Sequence, residues 1–129
     1  MSPANVLLVD HDCDAVARLA SLLSERGCNV SYTLDPRLAL ALARKCKPDI
    51  AFIDLRMPHM TGFNLAKAFR AEETLADCAL VAFSGDGTHG WANIAAGFQA
   101  LLSKPAQRDE VLATVEMLVP GMNAAPAAA

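Results

Sequence analysis

Residues 50–58 read Ile50-Ala51-Phe52-Ile53-Asp54-Leu55-Arg56-Met57-Pro58. Four apolar residues end in a carboxylate, and a proline stops the run four residues later. A short run that is apolar on consecutive positions reads as a strand covered on both faces. Here it delivers an acid to the edge of a sheet. The same construction recurs along the chain. Val6-Leu7-Leu8-Val9 ends in Asp10-His11-Asp12, Leu80-Val81-Ala82-Phe83 ends in Ser84, and Ala100-Leu101-Leu102-Ser103 ends in Lys104-Pro105. If these strands are parallel, their C-terminal ends share one edge, which then carries acids, a hydroxyl and a lysine. In open α/β sheets that edge is where ligands bind.

Between these runs the apolar period changes to that of a helix. Val16, Leu19, Ala20 and Leu23 recur at helical spacing within 13–26, with Asp12 or Asp14 available as a cap and Gly27 as a stop. Residues 28–33 form a more polar strand suited to a sheet edge. Asp35 caps a second helix that begins with Pro36 and runs to Cys46. The third strand spans 49–54, and Gly62 precedes a third helix over about 63–72. A fourth strand spans 79–84. A glycine-rich loop then leads to a short helix near 89–96 and a fifth strand at 99–103. The last helix, 107–119, places Val111, Leu112, Val115, Leu118 and Val119 on one face. Five alternations of strand and helix imply a parallel sheet with helices on both faces. The flavodoxin-like strand order 2-1-3-4-5 suits the polar second strand, and it sets Asp10 beside Asp54. Residues 1–119 make one domain, and the low-complexity tail 120–129 is expected to be disordered.

The chain has 129 residues, 53% of them hydrophobic, a mean hydropathy of +0.28 and a net charge of −3. That is enough apolar material for one layered core. With no basic cluster, direct binding to nucleic acid is not expected of this domain. No apolar stretch approaches the ~18 residues that span a bilayer, so no membrane insertion is expected. Met1 to Asn5 lead straight into the first strand, without the pattern of a signal peptide. Cys13, Cys28, Cys46 and Cys78 lack CxxC spacing and read as reduced small hydrophobes in a cytoplasmic protein.

The chain resembles the receiver domain of two-component response regulators over about residues 4–119. The resemblance rests on four matches in order: Val9-Asp10-His11-Asp12, Asp54 with Met57-Pro58 and Gly62, Ser84, and Lys104-Pro105. Any one alone is weak, since Ser84 could be a turn residue and Lys104 a solvated lysine; together, on this alternation, they are specific. The resemblance implies that Asp54 accepts a phosphoryl group from a phosphohistidine on a histidine kinase or phosphotransfer protein. It implies that Asp10, Asp54 and the backbone carbonyl of Arg56 hold Mg²⁺. It makes Ser84 the hydrogen-bond partner of the phosphate and Lys104 its counter-charge, with a cis bond before Pro105. Output is expected through protein contacts on the face of the fourth helix, fifth strand and fifth helix. Catalysis is limited to self-catalysed phosphotransfer and dephosphorylation. The chemistry is coherent on its own terms: phosphoryl transfer needs a nucleophile, charge neutralisation and positioning.

Two positions depart from the family pattern. The second of the two adjacent acids usual after the first strand is His11 here, and imidazole is a poor ligand for Mg²⁺. Asp12 either takes over as ligand or merely caps the first helix; the sequence leaves both open. His11 is expected to weaken Mg²⁺ binding, alter the choice of metal or make binding pH-dependent. The aromatic residue usual three positions before the lysine is Leu101, which cannot provide the same rotating ring. An alternative is therefore a receiver-like interaction module phosphorylated weakly or not at all. A more remote one is a small flavodoxin-like nucleotide-binding enzyme, because Gly85-Asp86-Gly87-Thr88-His89-Gly90 fits GxGxxG. That fingerprint belongs to the first strand–helix turn, which here is acidic. The glycines read instead as freedom in a moving loop. His59 and His89 take no ligand role, and Trp91 is expected to be partly exposed.

Overall fold

The computed structural model describes residues 3–85 and 96–120. Strands β1 (Asn5–Val9), β2 (Asn29–Thr33), β3 (Ile50–Asp54), β4 (Ala79–Ser84) and β5 (Ala100–Ser103) alternate with helices α1 (Cys13–Glu25), α2 (Ala39–Cys46), α3 (Gly62–Ala71) and α4 (Arg108–Leu118). All strand pairings are parallel, and the sheet order is β2-β1-β3-β4-β5. The polar strand β2 lies at the edge, as its composition requires. The body of the expected short helix near 89–96, with Trp91, His89, Gly87 and Gly90, and the tail from 121 onward lie outside the described residues.

Alternation along each strand sends successive side chains to opposite faces, and each face has its own core. Leu7, Val9, Ala51, Ile53, Leu80 and Ala82 pack against Ala39 and Ala43 of α2 and Leu65, Ala66 and Phe69 of α3. Val6, Leu8, Ile50, Phe52, Val81 and Phe83 pack against Val16 and Leu23 of α1 and Val111, Leu112 and Val115 of α4. Phe52 and Phe83 stack with ring centroids 5.5 Å apart. Burying each such side chain contributes roughly 1.5–3 kcal/mol. The central strands are thus apolar throughout because both faces are covered.

The helix ends follow local chemistry. Asp12 caps α1, and Gly27 leaves it with φ +85, a backbone region that suits glycine. Thr61 caps α3 by accepting from the Asn64 amide at 3.2 Å. The second helix differs from the sequence expectation. Pro36–Leu38 is a 3-10 turn capped by Asp35, and the α-helix begins only at Ala39. The capping carboxylate also holds Arg37 at 2.9 Å, which anchors this tighter turn. The four cysteines are free thiols, but Cys13 is exposed rather than apolar in its surroundings, because it opens α1 on the solvent side.

Candidate functional site

The register of the sheet gathers the site. Val9 pairs with Ile53, Asp54 with Phe83, and Ser84 with Ser103. Each strand therefore ends at nearly the same level, and the residue at or just after each end lies at the common edge. Asp10 follows β1, Asp54 ends β3, Ser84 ends β4 and Lys104 follows β5. The Lys104 amide donates to the Ser84 carbonyl at 2.9 Å, extending the β4–β5 ladder to the lysine. The peptide bond between Lys104 and Pro105 is cis.

Asp10, Asp54 and Ser84 are buried. Lys104 Nζ lies 2.7 Å from Asp10 Oδ2 and 3.3 Å from Asp54 Oδ2. Asp10 Oδ1 points the other way and accepts the Asp12 amide at 2.9 Å. Asp54 Oδ1 accepts the Arg56 amide at 3.1 Å, and the Arg56 side chain is exposed. Burial pushes the Asp54 carboxyl above the usual carboxylate range, and the Asp10 charge adds to this, against the Arg56 amide and Lys104. Burial alone would lower the Lys104 ammonium, but its hydrogen bond and charge contact with Asp10, joined by Asp54, raise it instead. Two carboxylates thus share one ammonium, and the cluster carries an excess of negative charge.

His11 and Asp12 separate at this point. Asp12 turns away and its Oδ1 accepts from the amides of Asp14 at 3.0 Å and Ala15 at 3.3 Å, which is the work of a helix cap. His11 joins the cluster: its Nδ1 lies 3.3 Å from Asp54 Oδ2 and 3.8 Å from Asp10 Oδ1, with the imidazole half exposed. Among the described residues, Asp10, His11 and Asp54 offer three donor atoms within 4.8 Å of one another. The two carboxylates fit a divalent cation, which would relieve their mutual repulsion. The imidazole does not fit Mg²⁺, which takes oxygen ligands.

Two residues support the site in ways the sequence did not reveal. A Cβ on Gly62 would lie 2.4 Å from the Asp54 carbonyl oxygen and 2.9 Å from Leu55 Cα, so only glycine lets α3 start this close to the acid. The Gly62 amide donates to the Leu55 carbonyl at 3.2 Å and fixes that approach. Arg70, at the end of α3, donates to the carbonyls of Ala76, Cys78 and Gly97 and to Gln99 Oε1 at 2.6–3.1 Å. It ties the segment entering β5, and hence Lys104, to the entry of β4. Leu101 pairs with Ala82 and packs, partly buried, on the α2–α3 core.

The strand order and the acidic edge at its switch point define a flavodoxin-like α/β domain. A family model described as the response regulator receiver domain matches residues 6–116, and the chain belongs to that family. The transcriptional regulatory protein PrrA of Mycobacterium leprae is 30% identical over 119 residues, 92% of this chain and 51% of PrrA. The DNA-binding dual master transcriptional regulator RpaA of Synechocystis is 29% identical over 130 residues, 96% of this chain and 52% of RpaA. The solved structure of the chemotaxis response regulator CheY4 of Vibrio cholerae is 28% identical, with a TM-score of 0.86, covering 92% of this chain and 100% of that one. The chain spans about half the length of the curated relatives it matches. The family is one of signalling modules, not of classical enzymes, and the nucleotide-binding alternative finds no support in these matches. DNA binding is said of RpaA; the absence of a basic cluster concerns only these 129 residues. No helix among the described residues is long and apolar enough to cross a membrane.

Proposed function

We propose that Asp54 is the phosphoacceptor of this receiver domain, which acts in the cytoplasm and takes its phosphoryl group from a phosphohistidine on a histidine kinase or phosphotransfer protein. The observation that carries the reading is the pairing of a buried, strand-end carboxylate with Lys104 at 3.3 Å, beside Asp10. A carboxylate oxygen of Asp54 attacks phosphorus. An O–P bond forms, the P–N bond of the donor breaks, and its electron pair stays on the donor imidazole. Lys104 holds the charge of the transferring oxygens, and the Ser84 hydroxyl donates to one of them. A divalent cation held by Asp10, Asp54 and the Arg56 carbonyl would supply further charge neutralisation. Water later hydrolyses the acyl phosphate without a separate enzyme.

The phosphorylated and free states differ in the partners they bind, through the face of β5 and α4. The reading is tested by intact-mass spectrometry after acetyl phosphate with a divalent cation. One added phosphoryl mass is expected, lost in Asp54→Asn and kept in Asp12→Asn. Phosphate persisting on Asp54→Asn defeats the assignment.

A further inference from the structure

Asp10 Oδ1, His11 Nδ1 and Asp54 Oδ2 converge on one point at the sheet edge. We propose that they form a divalent-cation site whose selectivity is turned from Mg²⁺ toward imidazole-binding transition metals such as Co²⁺ and Ni²⁺. The inference rests on the phosphoacceptor reading only in placing the cation at the same edge.

The spacing is that of neighbouring ligands on one ion. With metal–donor bonds of about 2.0–2.2 Å, two donors at octahedral to tetrahedral angles stand roughly 3.0–3.5 Å apart. His11 Nδ1 is 3.3 Å from Asp54 Oδ2 and 3.8 Å from Asp10 Oδ1, so the imidazole has only a few tenths of an ångström to travel toward that spacing, in a set whose donors all lie within 4.8 Å of one another. The exposed imidazole can supply that movement without disturbing the core.

The carboxylates are already aimed. Asp10 commits Oδ2 to Lys104 at 2.7 Å and turns Oδ1 toward His11, where the Asp12 amide holds it at 2.9 Å. Asp54 is fixed by the Arg56 amide on Oδ1, leaving Oδ2 toward His11 and Lys104. Hydrogen bonds that orient ligands in this way raise the affinity of a site. Asp12, one residue on, is held in the cap of α1 and is not among the converging donors. The acid missing at position 11 is therefore replaced by nitrogen, not by the oxygen of its neighbour.

The chemical consequence follows from donor type. Mg²⁺ prefers oxygen and surrenders water reluctantly, so an imidazole in its shell contributes little. Co²⁺ and Ni²⁺ gain from the same nitrogen, along the usual rise in affinity across the row. Because every mixed site follows that rise to some degree, the effect of His11 is a difference of differences. The ratio of the Mg²⁺ to the Co²⁺ dissociation constant is measured by calorimetry on the whole chain and on His11→Asp.

The ratio is expected to fall about tenfold or more in His11→Asp, with Mg²⁺ binding tighter and Co²⁺ weaker. Pulsed paramagnetic resonance of the Mn²⁺-loaded protein should show nitrogen coupling in the wild type and none in His11→Gln. An unchanged ratio, or no nitrogen coupling in the wild type, overturns the proposal. His11 is half exposed and His11→Gln adds no charge to the cluster, so the resonance measurement stands even where a third carboxylate destabilises His11→Asp. Neither measurement reads phosphate, so a failed phosphoacceptor assignment and a failed metal assignment give separate results.

Discussion

Asp54→Asn is expected to raise the stability of the metal-free domain, although it removes the residue at the centre of the site. At an effective dielectric of about 20, Lys104 at 3.3 Å attracts the Asp54 carboxylate by about 5 kcal/mol. Asp10, whose donor atom lies within 4.8 Å, repels it by roughly 3.5 kcal/mol or more. The net attraction is then of the order of 1.5 kcal/mol, while removing a carboxylate from water costs several kcal/mol. Desolvation wins, in agreement with burial as the main cause of the raised Asp54 carboxyl. The amide of asparagine keeps an acceptor for the Arg56 amide and loses the charge. A gain of about 1–3 kcal/mol is expected at neutral pH; with a urea slope of about 2 kcal/mol/M, that is a midpoint shift of about 1 M.

The pH dependence checks the cause. A carboxyl raised in the folded state binds more protons there than in the unfolded chain, so its contribution to stability falls as pH rises from the ordinary aspartate value, about 3.9, through the raised one. The advantage of Asp54→Asn should therefore be absent in acid, grow across that window and level off toward neutrality. Urea unfolding in chelator, at several pH values, measures it. Lys104→Ala supplies the opposite case: it leaves both carboxylates without their ammonium and should cost about 3–5 kcal/mol, part of which Asp54→Asn restores. An Asp54→Asn protein no more stable than wild type at neutral pH, or equally advantaged in acid, refutes the account of an excess buried charge.

Gly62→Ala should cost about 1–3 kcal/mol and slow acyl-phosphate formation, because the new methyl meets the Asp54 carbonyl at 2.4 Å and backbone cannot swing aside. Gly27→Ala, with φ +85 but open space around it, should cost about 1–2 kcal/mol and leave the rate of phosphorylation alone; thermal melts and mass spectrometry of both variants separate strain at the site from strain elsewhere. Arg70→Lys should destabilise by about 2–3 kcal/mol, since one ammonium cannot reach the carbonyls of Ala76, Cys78 and Gly97 together. Faster hydrogen exchange in β5 than in β1 is expected in that variant, and uniform exchange would sink the role given to Arg70.

The fold was legible because each central strand is apolar on consecutive residues, which only a sheet covered on both faces demands. The site was legible for the same reason. Parallel strands in matched register put the residue after each apolar run at one edge, so Asp10, Asp54, Ser84 and Lys104 could be grouped without knowing any distance. Arg70 was not legible, since its partners are mostly backbone carbonyls, which every residue carries. Nor was the 3-10 turn at Pro36, because Asp-Pro opens either kind of helix. Gly62 stood out as part of a pattern, but the contact that requires it is between backbones. Asp12 is the instructive case: a metal ligand and a helix cap both call for an acid at that position. The path of the chain decides between them, turning Asp12 into α1 and leaving His11 Nδ1 3.3 Å from Asp54 Oδ2. The departure at position 11 therefore sets an imidazole beside both carboxylates where the family pattern has an acid, which makes metal preference the property to measure in this domain.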